Sequence, residues 1–106
     1  KSYLNAKLYY DFENYKAAVV AIDNSLNEYS DSQYREQLKY MLLESKYLLA
    51  MNSVADKKED RLSAALDEYF AFVDEFPESV YKKEAERFYE DVSELLNYNR
   101  EETNIN

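Results

Sequence analysis

Three adjacent carboxylate pairs, Asp67-Glu68, Asp74-Glu75 and Glu90-Asp91, come closest in this chain to an acid–base apparatus. A general acid and base acting on one group must project together, whereas neighbours on a helix point about 100° apart. The pairs therefore read as solvated helix faces. The chain has no Cys and no His, which withholds thiolate nucleophiles, disulfides, the usual zinc sites and imidazole bases. No catalytic residue, metal ligand or cofactor is expected, and binding is the expected activity.

The elements that position side chains in such a chain are helices. At 106 residues there is room for one domain, and with no Gly and a single Pro the tight turns of an all-β fold lack suitable residues. Thirteen Lys+Arg against 22 Asp+Glu give a formal charge of −9, a field that repels phosphate backbones and anionic lipid. Nucleic acid is not an expected partner. No apolar run approaches the ~20 residues of a membrane span, so any export signal or anchor is expected upstream of Lys1. Twelve Tyr and five Phe suit thin helical layers in which a ring joins the core while its hydroxyl reaches the edge.

Apolar spacing predicts five helices. The first spans about 2–10, with Leu4, Leu8 and Tyr9 on one side. The second, about 13–28, carries Tyr15, Ala18, Val19, Ile22 and Leu26 in an amphipathic stripe. Ser30-Asp31-Ser32 offers caps for a third over about 32–51, burying Leu38, Met41 or Leu42, Ser45, Leu48 and Leu49. Residues 52–60 read as a charged, mobile connection. The fourth helix, about 61–76, buries Leu62, Ala65, Leu66, Tyr69, Phe72 and Val73 and is ended by Pro77. The fifth, about 79–97, carries Tyr81, Ala85, Phe88, Tyr89, Val92, Leu95 and Leu96. Glu84 with Phe88 and Arg87 with Asp91 read as helix-surface packing and an ion pair. Residues 98–106 form a fraying polar tail.

The chain also repeats itself. The stretch from Tyr15 to Tyr34 returns from Leu62 to Tyr81 at a constant offset, since 62 − 15 and 81 − 34 both equal 47. Self-similarity at such a period marks units that cannot bury their apolar faces alone and must stack. Ala6, Tyr9, Tyr15, Ala18, Ile22, Ser25 and Ser30, then Leu62, Ala65, Tyr69, Phe72 and Pro77, match the roughly 34-residue tetratricopeptide frame. The expected fold is all-α: a tetratricopeptide-like helical solenoid of about five antiparallel helices, two repeats plus a capping helix, over residues 1–97.

Within that class, the 22 residues from Ala64 to Ala85, with Glu68-Tyr69, Phe76-Pro77-Glu78-Ser79 and Tyr81 in order, resemble the signature of BamD-type lipoproteins. Related envelope proteins, such as the Tol-associated coordinator of cell division, share much of it. The resemblance implies a non-catalytic scaffold in outer-membrane β-barrel protein assembly, working at the periplasmic face of the bacterial outer membrane. It implies a barrel-forming protein partner, and membrane attachment only through an upstream lipidated Cys. This chain would then hold carboxy-terminal repeats. A cytosolic or other envelope adaptor is the competing expectation.

In tetratricopeptide proteins the leading helices line the groove, and the frame places Tyr3, Lys7 and Tyr10 there, with Lys39, Leu42, Lys46 and Leu49, and Tyr89, Ser93 and Leu96 from the last helix. Lys7, Lys39 and Lys46 make a basic wall in an acidic chain. It suits an acidic or carboxylate-bearing extended segment, unless these are simply solvated helix lysines. The BamD-type resemblance adds Arg61 and Arg87 as candidate partner contacts, beside Arg100 and the inter-repeat Arg35.

Overall fold

The computed structural model describes the backbone of residues 2–31 and 33–105 and the side chains of residues 3–31 and 33–97. The described residues form α1 (Ser2–Asp11), α2 (Tyr15–Glu28), α3 (Arg35–Met51), α4 (Ala55–Glu75) and α5 (Lys82–Ile105). Successive helices pack on one another, and α3 also touches both α1 and α5, whereas α2 and α4 do not meet. α3 is thus the central helix, in contact with each of the other four. The body measures 50 × 28 × 19 Å.

The core is made of three clusters. Ala6, Ala18, Ile22, Leu26, Leu38, Met41 and Leu42 join α1, α2 and α3. Leu43, Phe72, Ala85 and Phe88 join α3, α4 and α5, while Ala50, Leu62, Ala65, Val92 and Leu96 close the other end of those helices. The stripe expected on α2 is the stripe buried: Ala18, Ile22 and Leu26, with Tyr15 and Val19 half-buried. The repeat carries into burial as well, since Ala18 and Ala65, and Ser25 and Phe72, stand 47 residues apart and all four are buried.

Helix α1 departs from the expected face. Leu4 and Leu8 are 65% and 53% exposed and Tyr9 is 43% exposed, while Ala6 is fully buried between half-buried Tyr3 and Tyr10. The buried line 3, 6, 10 is as helical in spacing as 4, 8. It prevails because Ala6 admits close approach and both rings find partners: Tyr3 stacks on Tyr34 at 4.2 Å, and the Tyr10 hydroxyl donates to Glu44.

The connection expected over 52–60 is mostly helix. Only Asn52, Ser53 and Val54 separate α3 from α4, because the run from Ala55 to Asp60 is made largely of residues that extend a helix in water without an apolar stripe. Asp56 in the first turn complements the helix dipole. α3 begins at Arg35, after Tyr34 and without a side-chain cap bond. Ser32, named above as a cap, lies outside the described residues. At the other end, α5 continues past Asn97 to Ile105, through helix formers such as Glu101 and Glu102. The side chains of the tail, Arg100 among them, lie outside the described residues.

Two connections are fixed by local bonds. After α1 the amide of Asn14 donates to the Tyr9 carbonyl at 2.9 Å and that of Glu13 to the Tyr10 carbonyl at 3.0 Å, with Glu13 at φ 59°. This is a Schellman closure with a glutamate at the left-handed position that glycine favours. Asn14 then caps α2 by accepting from the Ala17 amide. After α4, Phe76 and Pro77 end the helix as expected. Ser79 ties the turn down, accepting from the Tyr81 amide at 3.0 Å and donating to Glu36 of α3 at 2.6 Å.

Candidate functional site

The lysine wall is where sequence and structure differ most instructively. Lys39 and Lys46 lie seven residues apart on α3, two helical turns, and both reach Glu68 on α4: Nζ to Oε2 is 3.1 Å and Nζ to Oε1 is 3.0 Å. The side chains of Glu68, Lys39 and Lys46 are 10%, 14% and 24% exposed. Each carboxylate oxygen thus takes one ammonium, which is how a half-dry ion cluster is held. Lys7, on α1, pairs with Asp11 at 2.9 Å across one turn. Each of the three lysines already holds a carboxylate of its own chain, Lys39 and Lys46 the same one.

The adjacent acidic pairs divide as helix geometry requires, but not all to solvent. Glu68 is buried, Glu75 holds Arg35 and Asp91 holds Tyr47, while Asp67, Asp74 and Glu90 are exposed. Arg35 grips Glu75 through two nitrogens, Nη2 to Oε1 at 2.9 Å, and also donates to the Ser30 carbonyl at 3.1 Å. The Arg35 bond holds the Glu75 carboxyl below its ordinary range. That fork locks the start of α3 to the end of α4. Cross-helix partners of this kind are not visible in one sequence.

Tyrosines and carboxylates join α1, α3 and α5. Tyr10 of α1 donates to Glu44 of α3, and Tyr47 of α3 donates to Asp91 of α5 at 2.6 Å. Tyr40 stacks on Tyr81 at 4.3 Å and Tyr47 on Phe88 at 4.4 Å. Burial, and then the bond to Asp91, push the Tyr47 phenol up to about 12. Burial followed by the neighbouring Glu44 raises Tyr10 and Tyr40 in the same direction. The Tyr10 and Tyr47 hydroxyls stay protonated and act as donors that tie helices together.

The remaining candidates scatter. Arg61 donates to Ser53 Oγ at 2.7 Å, and Ser53 donates to the Leu49 carbonyl, so Arg61 braces the α3–α4 turn. Arg87 is 67% exposed and pairs with Glu84 at 2.8 Å, not with Asp91 as the spacing predicts, because Asp91 turns toward Tyr47. Tyr89 stacks on Tyr69 of α4 at 4.6 Å, with Phe70 edge-on, away from Asp91. Leu42 is buried in the core, Leu49 is half-buried, and Tyr3 is committed to Tyr34.

Among the described residues, no helix is long and apolar enough to cross a membrane. A scan against protein-family models and a search of curated proteins return no match for the chain.

Proposed function

We propose that this chain is a non-catalytic protein–protein interaction scaffold of tetratricopeptide type, acting in outer-membrane β-barrel protein assembly as BamD-type lipoproteins do. The observation that carries the reading is the agreement between the 47-residue repeat and the order of the helices. Both copies begin in an even-numbered helix, α2 or α4, and run into the turn before the next odd-numbered helix. Stacked hairpins of this kind present an extended surface along one layer, and such surfaces serve binding. The stretch from Ala64 to Ala85 supports the narrower BamD-type assignment: Phe76-Pro77-Glu78-Ser79 forms the α4–α5 turn, with Ser79 bonded back to α3.

An adaptor reading an acidic segment through Lys7, Lys39 and Lys46 has less support, because all three lysines hold carboxylates of the chain itself. The test is capture from detergent-solubilised envelope, with the chain and its native upstream residues as bait and mass spectrometry as readout. Recovery of a barrel-forming assembly protein is the expected result. Recovery of only Tol-system or cytosolic proteins would overturn the assignment while leaving the fold.

A further inference from the structure

Between the end of α3 and the middle of α5 lies a cleft of about 440 Å³, lined among the described residues by Met51, Asp91, Glu94 and Leu95. Asp91, Glu94 and Leu95 are spaced i, i+3 and i+4, so one face of α5 supplies all three. Met51 and Leu95 are half-buried and apolar, whereas Glu94 is exposed. The Tyr47 hydroxyl fixes Asp91 through Oδ2, leaving Oδ1 without a hydrogen bond among the described residues. No described lining residue is basic, and Arg87, the cation that acts on Tyr47, is already paired with Glu84.

We propose that this cleft receives an arginine side chain from an extended segment of a partner protein. Its requirements match that side chain in two places at once. An aliphatic stem lies along Met51 and Leu95, while a planar, weakly hydrated guanidinium presents paired donors to Asp91 and Glu94. A carboxylate ligand would meet two like charges and an apolar floor. The partner is thus of opposite sign to the one the lysines suggest, consistent with a chain of net charge −9. The inference rests on the scaffold reading only in taking the ligand to be protein.

The test is a methyl-detected NMR titration of the whole chain with blocked pentapeptides bearing Arg, Gln or Glu between alanines. Met51 is one of only two methionines, so its methyl is readily assigned. The Arg peptide is expected to shift the Met51 and Leu95 methyls saturably, and Glu94→Gln to weaken that binding about fivefold, the size of a partly exposed ion pair. Asp91→Asn should weaken it by a similar factor. Absence of saturable shifts, equal shifts with the Gln peptide, or unchanged binding by Glu94→Gln would overturn the proposal. So would the same shifts on concentrating the chain alone, which would assign the cleft to a second copy. No partner protein enters this titration, so its outcome and that of the envelope capture are independent.

Discussion

Glu44 on α3 and Asp91 on α5 stand 47 residues apart, and each accepts a tyrosine hydroxyl from the preceding odd-numbered helix, Glu44 from Tyr10 and Asp91 from Tyr47. The period visible in the sequence thus reappears in the two acceptors, while the donors stand 37 residues apart, since 47 − 10 = 37. Those bonds need neutral phenols. Folding keeps on Tyr47 a proton that an unfolded chain releases near the ordinary value of 10, and Tyr10 and Tyr40 shift the same way.

The sign of the resulting pH dependence follows from proton counting. Because the folded state binds more protons than the unfolded state in this range, the stabilisation from these tyrosines is fully present below pH 10. It is lost as pH rises from 10 through about 12 for Tyr47. Urea midpoints should fall steeply above about pH 10, with part of the phenolate absorbance appearing only on unfolding. Tyr47→Phe should flatten that alkaline fall.

Glu68 holds two lysines in a largely buried place. Glu68→Ala leaves both without their partner and should destabilise the chain by about 3 kcal/mol. Replacing Lys39, Lys46 and Glu68 together with leucine should recover most of that loss, because the desolvation cost of all three charges disappears. Urea denaturation of the two variants, at one ionic strength, checks both parts.

Ser45 and Phe72 probe the core from opposite directions. The Ser45 hydroxyl is fully buried and has no hydrogen-bond partner among the described residues, so Ser45→Ala should be neutral or stabilising by up to about 1 kcal/mol. Phe72 is fully buried between α3, α4 and α5, and Phe72→Ala should cost about 3–5 kcal/mol. Thermal and urea unfolding with circular dichroism would read both.

Glu13 supplies a backbone test. Its φ of 59° brings Cβ close to the following carbonyl, a cost of about 1–2 kcal/mol that glycine does not bear. Glu13→Gly should therefore be more stable than Glu13→Ala by about 1 kcal/mol, even though both lose the same carboxylate. The difference between the two unfolding midpoints is the measurement.

What was legible in the sequence was what period alone determines. The α2 stripe of Ala18, Ile22 and Leu26, the stop at Pro77 and the buried positions of α4 at Leu62, Ala65 and Phe72 all follow from local spacing and turn chemistry. α1 was less legible, since ten residues hold two equally helical lines and only Tyr34 and Glu44 decide between them. The early start of α4 was missed because 55–60 is helical by propensity without an apolar stripe. For the candidate site, the lysines were visible but their carboxylate was not. Glu68 and Lys39 are 29 residues apart, a relation that exists only once α3 and α4 are stacked.

The central proposal, a scaffold that binds protein through α1, α3 and α5, is tested most directly by site-specific photocrosslinking in the native cell. A photoreactive residue is placed at exposed Glu94 or half-buried Glu84 of α5, and for comparison at exposed Asp23 of α2 or Asp67 of α4. Adducts to an envelope protein from the α5 positions, and weaker or none from Asp23 and Asp67, are the predicted result. Adducts only from the α2 and α4 positions, or from no position at all, would contradict it.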